Sequence, residues 1–182
     1  MKSLKSLYVT DGIIEWKLWT GQINLCEQFP LEIWHKIVFN IDSNNDWVQY
    51  LNTYSQYVTC FVLCRVSTKE PVGFCYLLQE DERGNVMSFH GGGWIKSTFA
   101  SMMYYRGAIR MVEALLSKDI KVRSACLNNN TIAYRFLRSI GFVRYTTTPT
   151  RNLFWINNKR LKSTNIYKLI VANTRRGGGN QI

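Results

Sequence analysis

The sequence predicts an α/β fold of the α+β kind, with a mixed and mostly antiparallel sheet that contains a central parallel β-α-β crossover. Three observations predict it. Strand-like runs in the middle of the chain are joined by short turns, which is typical of an antiparallel meander. A long segment with apolar residues at helical spacing follows the meander and predicts a helix. Another strand-like run follows that helix. A strand, a crossing helix and a second strand form a right-handed parallel connection, so this region adds one parallel pair.

The part of the chain before the meander predicts a strand hairpin and two short helices. Residues 4–19 contain two β-prone runs around Asp11-Gly12, a pair that favours a tight turn. The stretch "PLEIWHKIVFN" at 30–40 begins with a proline suited to a first helical turn and spaces its apolar residues helically. The stretch "SNNDWVQYLNTY" at 43–54 has Asn and Asp cap candidates before an apolar face, which indicates a second short helix.

The middle and end of the chain supply most of the predicted sheet. The strands of the meander are predicted at residues 58–66, 72–79 and 86–94. The crossing helix and the buried strand after it are predicted at residues 99–117 and 121–127. A helix that Gly141 ends and two closing strands complete the order, at residues 128–141, 142–148 and 165–173.

Composition predicts one domain. A chain of 182 residues with 46% hydrophobic residues can bury one full core, so we expect a single domain over 1–173 and a flexible, basic, glycine-rich tail at 174–182. No run of about 18 apolar residues occurs, and early charges such as Asp11 and Glu15 do not fit a signal peptide. We therefore expect a soluble cytoplasmic protein without membrane contact. The five cysteines are dispersed in apolar runs, which predicts reduced core residues and no metal site.

The net charge of +11 predicts an anionic ligand, or a polyanionic or protein partner. The positive residues are spread along the chain, a distribution that is equally typical of a solvated basic surface. A nucleic-acid-associated protein, with Arg175 and Arg176 contributing phosphate contacts, is one alternative function. No DNA- or RNA-binding motif accompanies it.

The stretch "NNNTIAYRFLRSIGF" contains the most specific spacing, formed by Asn130, Ala133, Phe136, Gly141 and Phe142. Asn130 suits a helix cap, Ala133 permits close approach, Gly141 suits a left-handed C-cap, and Phe142 begins the next strand in the core. This spacing resembles the last helix of GNAT-type N-acetyltransferases, and the order of elements agrees over roughly residues 58–145. The resemblance implies a GNAT-like fold and transfer of an acetyl group from acetyl-coenzyme A to an amine of a peptide, protein or small molecule.

The resemblance also implies where acetyl-coenzyme A is held as co-substrate. In the family, the pantetheine arm bonds to the backbone of the strand before the crossing helix, and the following loop and helix N-terminus hold the pyrophosphate. Glycine in that strand permits a bulge or close ligand approach, although a plain glycine-rich turn is the alternative. The implied cofactor-binding residues are Phe89, Gly91, Gly92, Lys96, Ser97, Thr98, Phe99, Ala100, Ser101, Asn130 and Ala133.

Direct transfer requires a base for the amine and an acid for the leaving thiolate. The resemblance implies a tyrosine as the acid at position 137, where this chain has Leu137. Tyr134, and Tyr105 or Tyr104 on the crossing helix, are the candidate replacements, with packing as their alternative role. His90 is the candidate base because it lies on the strand implied to carry the thioester and because the unperturbed pKa of a histidine is near neutrality; a structural role is the alternative.

Two departures from the family pattern favour an alternative without catalysis. The loop "WIKSTFAS" lacks the glycines that family members place around the pyrophosphate, and Leu137 replaces the tyrosine. A GNAT-fold binding or structural protein, such as a viral or phage protein, is therefore the main alternative. For an active enzyme, the basic charge favours acceptors with neutral or acidic surroundings over polyamines and basic peptides.

Overall fold

The computed structural model describes residues 4–24, 43–93 and 98–177. Within these ranges, eight strands form one sheet in the order β1-β2-β3-β4-β5-β6-β8-β7. The strands are β1 (Val9–Thr10), β2 (Ile14–Leu18), β3 (Val58–Arg65), β4 (Pro71–Gln79), β5 (Val86–Gly93), β6 (Lys121–Leu127), β7 (Val143–Thr147) and β8 (Arg151–Ile156). The helices are α1 (Asn44–Thr53), α2 (Thr98–Leu116), α3 (Thr131–Ser139), α4 (Asn158–Ser163) and α5 (Asn165–Gly177), and a short 3-10 helix spans Leu4–Ser6.

The sheet is mixed, as predicted. Strands β5 and β6 are parallel and are connected by α2, whereas the other described pairs are antiparallel. This confirms the predicted meander with a central parallel crossover. Among the described residues, no helix combines the length and apolar character needed to cross a membrane.

Local chemistry explains several element boundaries. The β1–β2 turn is held by the Asp11 carboxylate, whose Oδ1 accepts the backbone N–H groups of Ile13 and Ile14 at 3.2 Å each. Helix α1 begins with a capping box between Ser43 and Asp46, which satisfies two backbone N–H groups at its start. These contacts confirm the predicted hairpin and the predicted second short helix.

The sheet separates two hydrophobic cores. Helix α2 lies over one face, where Phe61, Leu77 and Phe89 are buried in the same cluster as residues of α3, α4 and α5. Helix α1 covers part of the opposite face, where Trp47 is fully buried among side chains of β3 and β4. Of the five cysteines, Cys60, Cys64, Cys75 and Cys126 are buried and free, in agreement with the prediction for these four. Cys26 and the helix predicted at 30–40 lie outside the described residues.

The predicted last strand is wrong. Residues 165–173 belong to helix α5, and the second closing strand is β8. The apolar run has strand propensity, but Ile166, Tyr167 and Ile170 recur at helical spacing and pack against the core. The Thr164 hydroxyl accepts the Tyr167 N–H at 3.2 Å in the first turn of the helix. Helix α5 continues to Gly177, so it includes the first residues of the segment predicted as a tail.

Candidate active site

A gap between β5 and β6 is the central feature of the candidate site. Their parallel ladder has three registered pairs, of which the last joins Ser88 to Arg123. Beyond this pair the two strands diverge, and the Ser124 hydroxyl bridges them by donating to the Phe89 carbonyl at 2.7 Å. Because peptide groups of a strand alternate in direction, those of Gly91 face the same side as those of Phe89. The backbone of Gly91 therefore faces the gap.

A cavity that is open to solvent, called the helix-side cavity below, occupies this gap on the side of α2 and α3; its empty space is about 380 Å³ when the open solvent is included. The two strands and both helices contribute its lining, which consists of Phe89, His90, Gly91, Tyr104, Ser124, Ala125, Cys126, Ala133, Phe136 and Leu137. Most of these side chains are apolar or small, so the cavity suits a slender, partly apolar ligand.

Gly91 and Tyr104 meet at the wall of the cavity. A Cβ atom on Gly91 would lie 2.3 Å from the Phe74 carbonyl oxygen and 2.8 Å from the Tyr104 hydroxyl. Glycine is therefore required at position 91 for this close approach of the Phe74 backbone and the Tyr104 side chain. The Tyr104 hydroxyl also contacts the Phe74 carbonyl at 3.5 Å, at the limit for a hydrogen bond.

A second cavity, also open to solvent, lies next to the same gap, with His90, Ala125, Cys126, Leu127 and Arg151 in its lining. Side-chain alternation on β6 places Ala125 and Leu127 on the face opposite Cys126, whose side chain joins the core beneath α2. The two cavities share His90, Ala125 and Cys126. The gap thus has one cavity towards the helices α2 and α3 and a second cavity towards the opposite face of the sheet.

The predicted catalytic residues occupy different surroundings. His90 lines both cavities, and its ring stacks on that of Tyr76 with 5.1 Å between centroids. Tyr105 packs against Phe136 at 4.8 Å between centroids, and Tyr134 packs edge-on against Phe154 at 5.6 Å. Neither tyrosine is among the residues that line the two cavities.

The predicted coenzyme residues are only partly assembled in the described chain. Phe89, Gly91 and Ala133 line the helix-side cavity. The Asn130 side chain accepts the Ala133 N–H at 2.9 Å and caps α3, and Gly141 ends that helix with a φ of +103°. Gly92 lies in β5, and the backbones of Thr98, Phe99, Ala100 and Ser101 form the first turn of α2. Lys96 and Ser97 lie outside the described residues.

The sequence did not distinguish several residues that line the cavity. On the sequence alone Tyr104 is only an alternative to Tyr105, because helical spacing does not show which of these neighbours faces β5. Ser124 and Cys126 alternate along β6 and share a face, a signal that the strand pattern contained. Leu137 is 3% exposed and forms part of the cavity wall at the position where the resemblance implies a tyrosine.

The described residues around the gap carry no acidic charge. Among the described residues that line either cavity there is no Asp or Glu, whereas Arg151 lines the cavity on the face opposite α2. The described part of the chain also holds no group of three or more His, Cys, Asp or Glu side chains able to bind a metal ion.

Away from the gap, burial raises the pKa of the Cys60, Cys64 and Cys75 thiols, which keeps these side chains protonated and unreactive.

No family model matches the sequence, and no curated protein matches it. Solved structures do resemble it. Apo FdhC, a nucleotide-linked sugar GNAT, matches with a TM-score of 0.65 and 10% identity, covering 90% of this chain and 97% of that one. The N-acetyltransferase PseH of Campylobacter jejuni in complex with acetyl coenzyme A gives a TM-score of 0.56 and 14% identity, with coverages of 80% and 99%. A spermidine N-acetyltransferase of Vibrio cholerae in complex with CoA and spermine gives 0.55 and 11%, with coverages of 80% and 97%. The chain therefore has the GNAT fold.

Proposed function

We propose that this protein is an N-acetyltransferase that transfers an acetyl group from acetyl-coenzyme A to an amine of a peptide, a protein or a small molecule. The observation that supports this most is the gap between β5 and β6, which begins after the Ser88–Arg123 pair and opens into cavities on both faces of the sheet. Two substrates can reach one point from opposite sides of such a gap. Structural neighbours with acetyl coenzyme A or CoA bound support the same assignment.

The residues around the helix-side cavity fit the arm of acetyl-coenzyme A. Gly91 directs its peptide groups to the gap, and an extended amide-containing arm needs such partners. Ala133 presents a short side chain, and Phe136 and Leu137 supply apolar walls. We further propose that Gly92 and the segment from Lys96 to Ser101 approach the phosphates, because amides at the start of a helix attract anions.

Acetyl-coenzyme A would supply an activated thioester, and the chain must manage the protons of the transfer. The acceptor nitrogen must lose a proton before it bonds to the carbonyl carbon, and the sulfur must gain one when the carbon–sulfur bond breaks. His90 is positioned to accept the first proton because it lines both cavities. Tyr104 has its hydroxyl at the wall of the helix-side cavity, so it is better placed to donate the second proton than Tyr105 or Tyr134.

Calorimetry with acetyl-coenzyme A tests the proposal, and a variant that fills the cavity places the binding site. Ala133→Phe adds a ring inside the helix-side cavity, so we expect the affinity to fall by at least about tenfold. Arg135→Phe is the matched control, because it adds the same ring to an exposed position of the same helix. Thermal unfolding of both variants checks that each is folded.

The outcomes separate the enzyme from its alternative. Absence of binding by the wild-type protein at millimolar acetyl-coenzyme A contradicts the proposed function and supports a GNAT-fold protein without catalysis. Equal affinities for the Ala133→Phe and wild-type proteins would show that acetyl-coenzyme A binds elsewhere. Product formation with an amine acceptor, detected by mass spectrometry as a gain of one acetyl group, completes the test.

A further inference from the structure

The cavity on the face opposite α2, defined by His90, Ala125, Cys126, Leu127 and Arg151, is called the acceptor-side cavity below. We propose that Arg151 binds an anionic group of the acceptor there, so that the preferred substrates are amines that also carry a carboxylate or a phosphate. This inference rests on the proposed acetyltransferase function. It adds the chemical class of the acceptor and the residue that selects it.

Hydrogen bonds fix the backbone of Arg151 beside the gap. Arg151 begins β8 and pairs with Leu127 at the end of β6. Its N–H donates to the Thr148 hydroxyl at 3.0 Å, and its carbonyl accepts the Thr148 N–H at 2.8 Å. The Asn128 side chain holds the same turn by donating to the carbonyls of Thr148 and Pro149 at 3.0 and 3.1 Å. The side chain of Arg151 therefore extends from a well-defined position into the lining of the acceptor-side cavity.

The shared lining places Arg151 in the same cavity as His90, where the transfer would take place. His90 lines both cavities, so an amine next to His90 would lie in the acceptor-side cavity with Arg151. A guanidinium presents several N–H groups in one plane and bonds to carboxylates and phosphates in a bidentate manner. An acceptor with its amine near His90 and its anion near Arg151 satisfies both ends of the cavity.

Four of the described carboxylates form ion pairs with residues that line neither cavity. Asp11 pairs with Arg106, Glu80 pairs with Arg123 at 2.9 Å, and Glu113 pairs with Arg110 at 2.9 Å. Glu15 pairs with lysines at 3.1 Å. Among the described residues that line either cavity there is no Asp or Glu, and the chain as a whole has a net charge of +11. A polyamine would thus meet repulsion at Arg151, whereas an anionic acceptor is attracted.

The test compares acceptors in matched pairs that differ in one negative charge. The pairs are β-alanine with β-alaninamide, O-phosphoethanolamine with ethanolamine, and tetrapeptides with Glu or Gln at the second position; spermidine is the cationic probe. The first pair reports on carboxylates and the second on phosphates, so the two sources of the anion are distinguished. We expect kcat/KM to be about 10- to 100-fold higher for the anionic member of at least one pair, as for a hydrogen bond to a charged group.

Variants of the full chain then assign the preference to Arg151. Arg151→Gln should remove the preference while leaving the KM for acetyl-coenzyme A unchanged, and Arg151→Lys should keep part of it. Lys159→Gln removes one positive charge from an exposed position on α4 and should keep the full preference. Loss of the preference in Lys159→Gln as well would point to overall charge and overturn the assignment.

The results distinguish this inference from the function on which it rests. Failure to bind acetyl-coenzyme A overturns the proposed function. Binding of acetyl-coenzyme A without transfer to any anionic amine of the panel overturns the inference alone. Equal use of both members of every pair, faster acetylation of spermidine, or an unchanged preference in Arg151→Gln also overturns it.

Discussion

Replacement of Asp11 should destabilise the protein far more than the loss of its two hydrogen bonds in the β1–β2 turn alone would. The Asp11 side chain is 4% exposed and pairs through Oδ2 with Arg106 and, at 3.5 Å, with Arg110, both on α2. Removing one partner of a buried ion pair costs about 3–5 kcal/mol, because a charge is left in the interior without its counter-ion. The two backbone hydrogen bonds that Asp11 accepts in the turn contribute roughly 1 kcal/mol each. We therefore expect Asp11→Ala to lower the free energy of unfolding by about 5–7 kcal/mol.

Urea denaturation of three variants separates the two contributions. Asp11→Asn keeps an oxygen for the turn and removes the charge, so it should cost about 2 kcal/mol less than Asp11→Ala. Asp81→Ala is the control: Asp81 accepts two backbone N–H groups, of Asn85 and Val86, at 2.8 and 2.9 Å, and makes no ion pair with the described side chains. It should cost only about 1–3 kcal/mol. A loss below about 1 kcal/mol for Asp11→Ala would refute the reasoning.

Three further predictions concern the site and the pH dependence of stability. His90→Gln should lower the rate of transfer by about 10²–10⁴-fold and remove the limb of the pH–rate profile due to the imidazole; an intact profile would eliminate His90 as the base. Acetyl-coenzyme A should slow alkylation of Cys126 by iodoacetamide, followed by mass spectrometry, because Cys126 lines the helix-side cavity; Cys60 and Cys75 should stay unmodified with or without it, since burial raises their pKa. The hydrogen bond from Lys69, with Lys17 adding, lowers the pKa of Glu15 from its usual 4.5, although burial opposes this. Glu15 thus stabilises the fold above pH 4.5 and loses this effect as the pH falls through the lowered pKa. Glu15→Gln should therefore cost up to about 1 kcal/mol at pH 7 and nothing near pH 2, and a constant difference in denaturation experiments would contradict this.

Elements with complete local signals could be predicted from the sequence. Helix α3 has its cap at Asn130 and its left-handed end at Gly141, and both contacts need only residues within the same stretch. The run 121–127 became β6 with the predicted bounds because its alternation already specified one buried face. These signals involve only residues that are close together in the sequence, so the sequence pattern was sufficient to predict these two elements.

Features that depend on distant partners could not be predicted in the same way. The segment 165–173 has the composition of a strand, and its helical state is supported by contacts such as the hydrogen bond from the Tyr167 hydroxyl to Glu113 at 2.7 Å. The point where β5 leaves β6 depends on which residues of two separated strands pair. The sequence indicated the strand that forms the site but not the residue at which the site opens.

Position 137 shows why the fold and its chemistry require separate arguments. A leucine there is 3% exposed and completes the wall of the helix-side cavity, so it serves packing without offering a proton. The hydroxyl at this wall comes instead from Tyr104 on α2, and it approaches because Gly91 has no side chain: a Cβ would lie 2.8 Å from that hydroxyl. Gly91 and Tyr104 therefore depend on each other although helix and strand are separate. In the proposed function, Tyr104 on α2 supplies the proton donor that the resemblance implies on α3, so the backbone geometry of the site alone does not identify its acid.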